Sequence, residues 1–577
     1  MVSAPDIAES DNPIAVASAP PAPLVAAFAS GALLTACGGG GSGDSVVAAP
    51  APGPAPAPGP APAPPPVAAN EAARFLAQAT PGAGRSDIAA VQASGFAAWI
   101  EAQFAIPQSP SHYDWLAAHG YTDEKYRNST AGLDNTIWRK LIASPDPLRQ
   151  RVTLALSEIC VVSVLGVSTP WRQFAVGNYL DLLENNAFGN YRTLLGQISL
   201  STAMGYYLTF RGNAKANLAT GSQPDENYPR ELMQLMTLGL YKLNADGTPQ
   251  AAETYGQADV SGLARVFTGW DLDIAGLASP LPPDVHRRPM AQVASRYETG
   301  SKSFLGSTIA AGVSASACLN TALDTLFSHP NLPPFISRQL IQRLVTSNPS
   351  PAYVARVAAV FADNGAGVRG DMKAVLRATL LDAEARDLTA ASSPSFGKLR
   401  EPVTRFLNWA RAFGATSASD AWAVNDLTDP ATRLGQSPMR SPSVFNFFRP
   451  GYVPPSTALS AGAVAPEFQL VTESSVGGYL NYMMGVISNG LNSNDISAAY
   501  TGELAVADDP AALVRRVSLM LCAGQLSAAN QTLIATALAA TSITSGGSAN
   551  GNLTLRKNRV YAAVLMVMAS AEYLIQK

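Results

Sequence analysis

From Asn70 onward, apolar side chains recur with the period of an α-helix, and that pattern leaves little room for another architecture. Phe96, Trp99, Ile100 and Phe104 stand at i, i+3, i+4 and i+8, the spacing of one helix face. Leu148, Val152, Ala155, Leu156 and Ile159 repeat it, with Asp146 as the expected N-cap and Pro147 in the first turn. The same periodicity predicts helices near 172–186, 226–238, 256–268, 334–346, 351–362, 370–382, 397–413, 467–490, 510–522, 526–541 and 554–575. Strand-like alternation is scarce and short. No repeat of fixed period interrupts the pattern, and the Gly-, Pro- and Ser-rich breaks near 271–300, 387–397, 413–443 and 542–553 do not resemble the Ala/Pro run at 49–66; the alternative is a domain boundary near 390. The expectation is a mainly α protein whose residues 70–577 form one large multi-helical domain.

The preceding residues follow other rules. Ala49–Pro66 reads APAPGPAPAPGPAPAPPP, which supports neither a helix nor a ladder. Residues 38–69 are therefore expected to be a disordered linker, its Ala/Pro part a polyproline II spacer rising about 3.1 Å per residue. Upstream, Leu24–Ala36 is an uncharged run ending at Cys37. It is shorter than the roughly 20 residues of a membrane-spanning helix and suits the apolar region of a signal peptide. Leu34, Thr35, Ala36 and Cys37 resemble a bacterial lipobox, which makes residues 1–37 an export signal and Cys37 the expected site of lipid attachment. One feature departs from that pattern: Met1–Pro13 carries three acids and no base, where a signal peptide begins with positive charge. The competing reading is a low-complexity tail with an incidental cysteine.

Only 14% of the residues are charged, against roughly 25% in an average soluble domain. The chain has 39 bases and 42 acids, and four of those acids but none of the bases lie in the first 70 residues. The remainder is electrically neutral, which gives no expectation of nucleic acid as a partner. Four histidines and the widely separated Cys160, Cys318 and Cys522 support neither a metal centre nor a disulfide framework, and the runs around Cys160 and Cys522 read as buried core. No GxSxG elbow, HExxH helix, phosphate-binding loop or GxGxxG fingerprint occurs, so no cofactor is indicated and enzymatic activity is left open.

The most suggestive polar passage is Asp225–Glu231, DENYPRE. Pro229 belongs in a first turn, which puts the cap at Asn227 or Tyr228, with Asp225 and Glu226 just before it. Glu226 and Arg230 are placed for an ion pair four residues apart. The functional reading has Glu226, Arg230, Glu231 and Asp259 converging with Trp270 in a cleft, as an acid/base group or an oxygen-ligand cation site. The simpler reading, and the preferred one, makes them caps and ion pairs. The same pair of readings applies to Arg338, Arg343, Arg400, Glu401 and Arg405, again with structure preferred. Phe445, Phe447, Phe448 and Tyr452 suit either an ordered loop packed on the core or, less well, a sugar-stacking platform.

Several passages resemble the bacterial family known as domain of unknown function 1800, an exported, mainly helical family. They are RFLAQATPGAGRSDIAAVQASGFAAWIEAQF (Arg74–Phe104), LRQRVTLALSEICVVS (Leu148–Ser163), DENYPRELMQLMTLGLYKLNADG (Asp225–Gly247), ADVSGLARVFTGW (Ala258–Trp270), KLREP (Lys398–Pro402) and SPSVFNFFRPGYVPP (Ser441–Pro455). Family members often have His-Asp before a Thr-Gly pair where this chain has Tyr297 and Glu298, so any chemistry of that histidine would be lacking here. Members are often encoded beside exported sulfatase-like proteins, and the resemblance implies such a protein as partner. The combined expectation is an exported, lipid-anchored binding or assembly component of the cell envelope, periplasmic or anchored at the outer membrane. The alternative is a hydrolase of envelope or extracellular polymer using Glu226, Glu231 or Asp259.

Overall fold

The computed structural model describes residues 66–577 apart from 456 and 458–462. The expected signal segment, Cys37 and all of the Ala/Pro spacer but Pro66 lie outside the described residues. From Ala69 onward helices dominate, joined by short loops and, among the described residues, five two-stranded antiparallel ladders. One continuous hydrophobic cluster runs from Ala72 to Tyr573, across the break near 390.

At its centre lies the Pro147–Ile159 helix, whose thirteen residues are all buried. It packs against Arg172–Asn186, Leu332–Leu344, Leu133–Ala143, Phe96–Ala105 and Ala69–Ala79. The apolar stripe read from the sequence is one face of this helix; the polar face is enclosed too, so its charges need partners inside the protein. Arg149 donates to Asp146 (3.0 Å) and to the carbonyls of Glu184 (3.2 Å) and Ile106 (3.3 Å). Arg151 donates to the Arg343 carbonyl at 2.5 Å. Asp146 occupies the N-cap position, yet its carboxylate accepts from Ser144, Arg149 and Gln150 side chains rather than from backbone amides.

Helices Arg172–Asn186, Pro351–Ala362 and Pro510–Cys522 have the bounds their periodicity predicts. The expected 397–413 helix starts only at Pro402, because the residue before a proline is pushed toward extended geometry. Lys398–Leu399 pairs instead with Ile575–Gln576, so the end of the chain docks onto KLREP. Helices Leu133–Ala143, Tyr191–Ser199 and Ala315–Ser328 were not expected; their buried faces mix in Thr136, Lys140, Ser199 and Cys318, which blurs an apolar stripe. Cys160, Cys318 and Cys522 are free and buried. No helix among the described residues is long and apolar enough to cross a membrane.

The Gln257–Ala264 helix lies against the Lys302–Phe304 strand so closely that a Cβ on Gly262 would sit 1.8 Å from the Ser303 carbonyl oxygen. Neither backbone can retreat without disturbing its own hydrogen bonds. Gly262→Ala should therefore destabilise the fold by about 3 kcal/mol, read as a lowered melting temperature in thermal unfolding followed by circular dichroism.

Candidate functional site

The polar passage forms the start of the Asn227–Gln234 helix, with Glu226 at the cap position, one residue earlier than expected. Asp225 fixes the entry: its carboxylate accepts from the Asn227 amide (2.8 Å) and the Thr209 hydroxyl (2.8 Å). Glu226 makes the expected pair with Arg230 (3.1 Å) and also accepts from Gln257 (2.7 Å) and Ser261 (2.6 Å) on the neighbouring helix. The Ser261 hydrogen bond is the main cause holding its carboxyl below the usual range. Asp259 goes elsewhere, accepting the Gly256 amide (2.9 Å) and the Leu305 amide (2.7 Å), and so ties its helix to the 302–309 hairpin. Trp270 is buried, with its indole N–H donating to the Val266 carbonyl at 3.3 Å. Glu231 is half-buried; desolvation raises its carboxyl above the usual range, Arg230 opposes this, and Oε2 has no hydrogen-bond partner. Thus Glu226 pairs with Arg230 on its own helix and bridges to Gln257 and Ser261 on the next, Asp259 and Trp270 serve other contacts, and Glu231 Oε2 has no hydrogen-bond partner among the described residues.

A cleft of about 420 Å³ opens where the C-terminal part of this helix meets Leu332–Leu344 and the 444–451 loop. Its walls are largely apolar: Leu235, Leu240, Leu243, Phe335, Val444 and Phe445. Gln234, Arg338 and Gln339 add polar groups, and Glu158 and Arg343 reach it from the central helix and its neighbour. A second cavity, about 650 Å³, takes only Lys398 and Leu399 from the passages singled out in the sequence.

Behind the cleft lies a buried ionic network. Arg343 Nε is 2.8 Å from Glu158, and Lys398 Nζ is 3.4 Å from Glu401 and 3.0 Å from Glu467. Gln436 donates to Glu401 at 2.9 Å. Burial, reinforced by Glu401 and opposed by Arg343, pushes the Glu158 carboxyl well above its usual range. Burial pushes Glu401 up too, but Lys398, a hydrogen bond from Glu158, Arg151 and Gln436 outweigh it and hold Glu401 at about 2. Arg400 donates to the Tyr573 carbonyl (2.7 Å) and Arg405 to the Arg400 carbonyl (2.8 Å). Four of the five residues expected to be structural are therefore firmly engaged. Arg338 is the exception, with one long hydrogen bond to the Gly247 carbonyl (3.4 Å) and no carboxylate within ion-pair distance among the described residues.

The family model described as protein of unknown function (DUF1800) matches residues 74–575. The chain belongs to this family. No curated protein and no solved structure matches it. Three of the passages that carry the DUF1800 resemblance meet at the cleft: Glu158 and Ile159 from the first, Gln234 to Gly247 from the second, and Val444 to Gly451 from the third. A fourth, KLREP, supplies Lys398 and Glu401 to the network behind it. In the departing segment Tyr297 is buried and donates to the Val313 carbonyl (2.9 Å) and Cys318 (2.9 Å), while Glu298 accepts the Gly300 amide (2.7 Å). Those side chains do structural work. The aromatic passage is an ordered loop: Phe448 is buried under Arg343, and Arg449 covers Phe445.

One cluster escaped the sequence. His112, Asp181 and Glu184 are buried with ligand atoms within 4.8 Å of one another, the donor set of a metal site. Lys140 supplies the cation: its ammonium bonds Glu184 and lies 4.0 Å from Asp181. His112 Nε2 meets Glu184 Oε1 at 3.1 Å, and Asp181 accepts the His112 (2.6 Å) and Tyr113 (3.0 Å) amides. The four residues come from three separate helices, and the one local signal was the Asp181/Glu184 pair in an apolar run. Burial pushes Glu184 up, but the His112 hydrogen bond, the His112 charge and Lys140 together hold it at about 2, against an ordinary 4.5. Its stabilising contribution is complete above pH 4.5 and disappears as pH falls toward 2. Acid unfolding followed by circular dichroism should show wild type losing its stability advantage over Glu184→Gln across that window.

Proposed function

We propose that this DUF1800 protein is an exported, lipid-anchored binding component of the cell envelope, held off its membrane by the Ala/Pro spacer and acting through the cleft beside the Asn227–Gln234 helix. The cleft itself carries this reading: about 420 Å³, apolar-walled, built from three passages of the family resemblance, with Arg338 on its wall lacking an acidic partner among the described residues. Ligand sites are typically concave and mostly apolar, with a few placed polar groups, and range over roughly 300 to 1,000 Å³. Leu240 and Tyr241 at the rim are each about half exposed, at 50% and 51%, which suits a surface that another molecule covers. Binding is favoured over hydrolysis because Glu226 and Asp259 are occupied by donors that hold helices and a hairpin in place. An exported sulfatase-like protein is the proposed partner, and lipid at Cys37 the proposed membrane attachment.

Two measurements test this. Metabolic labelling with an alkyne fatty acid should mark wild type and leave Cys37→Ser unmarked; equal labelling removes the anchor. Cross-linking and pull-down from membranes should recover a reproducible partner with wild type and lose it with Leu240→Asp, a rim change that spares the core. Equal recovery by both proteins would place binding elsewhere.

A further inference from the structure

The charged residues around the cleft differ in one respect. Arg343 has Glu158, and Lys398 behind it has Glu401 and Glu467. Arg338 is largely removed from water, yet desolvation alone perturbs it, and no charged group among the described residues contributes. Its single hydrogen bond, to the Gly247 carbonyl, is 3.4 Å long. A cation in that position costs free energy unless something neutralises it. The Gln234 side-chain amide also lines the cleft and forms no hydrogen bond with a described residue. The remaining wall is aliphatic and aromatic, with Phe335 and Phe445 among its largest surfaces.

Resting on the binding reading above, we infer that the cleft takes a small amphiphile with one oxyanion head and an apolar body. Arg338 receives the head, and Leu235, Leu240, Phe335, Val444 and Phe445 receive the body. A guanidinium presents parallel N–H donors that match a carboxylate or a sulfate ester, and the low-dielectric walls strengthen that contact. The same walls disfavour a second charge, so a polyanion or a free inorganic anion is a poor occupant. A cationic head is excluded by Arg338 itself.

Isothermal titration calorimetry on the full chain carrying Cys37→Ser, which keeps it free of lipid and detergent, tests the inference with four probes: octanoate, octyl sulfate, octanol and octylammonium. Octanoate and octyl sulfate should bind with one-to-one stoichiometry, octanol at least tenfold more weakly, and octylammonium without measurable heat. Arg338→Gln should weaken octanoate at least tenfold and leave octanol unchanged. Arg338→Lys should recover part of the loss, and an unaltered melting temperature would separate lost recognition from lost folding. Phe445→Ala should weaken octanoate and octanol alike. Equal affinity for octanoate and octanol, or unchanged octanoate binding by Arg338→Gln, overturns the anion assignment while leaving a cleft that binds apolar molecules. Absence of binding by every probe overturns the inference outright, and the partner reading then stands or falls on the Leu240→Asp pull-down.

Discussion

The enclosure of the Pro147–Ile159 helix on every side is the constraint from which the rest of the structure follows. A helix with one wet face can leave its charges in solvent. This one carries Arg149, Arg151 and Glu158 into the interior, where an unpaired charge is far more costly than a lost apolar contact. Surrounding segments are placed to answer those charges. Leu332–Leu344 brings Arg343 to Glu158, and KLREP brings Glu401 beside the same carboxyl. The chain's final residues hold KLREP through the Lys398–Leu399 ladder. Residues as remote as Glu158 and Glu467 thus share one electrostatic problem, and one core runs through the middle of the chain without a break.

The cleft is a by-product of that arrangement. The Asn227–Gln234 helix and the 444–451 loop approach the network from outside but do not fill the space above it. Its floor is charged and ion-paired, its walls are apolar, and one wall carries a guanidinium that the network does not reach. Buried charges that neutralise one another account for stability, whereas one that nothing neutralises is better explained by a molecule that comes and goes.

Much of this was legible in the sequence, for identifiable reasons. Regular apolar spacing located the Pro351–Ala362 and Pro510–Cys522 helices because each has a stripe and a capped, proline-marked start. It could not show that the polar face of Pro147–Ile159 is as buried as the apolar one, since that depends on what packs there. Glu226 and Arg230 were readable because helix geometry fixes residues four apart; the Asp259 contact to Leu305 was not, being set by a hairpin some 46 residues away. Arg338 resembles Arg343, Arg400 and Arg405 in the sequence, and only three-dimensional placement, which gives those three an acid or a close carbonyl, distinguishes it. Lys140 among His112, Asp181 and Glu184 was hidden for the same reason: each is an isolated polar residue in an apolar stretch.

The network of Arg151, Glu158, Arg343, Lys398, Glu401 and Glu467 also bears on how such a chain can change over time. Removing one member of a buried charge group strands the others, whereas exchanging a whole set for well-packed apolar residues can be nearly neutral. Members of one network are not additive in their effects. The path between those two endpoints crosses intermediates that fold poorly, and no single step descends. Four stretches of chain that are remote in sequence are therefore bound into one evolutionary unit, free to drift at their surfaces but obliged to alter their buried charges together.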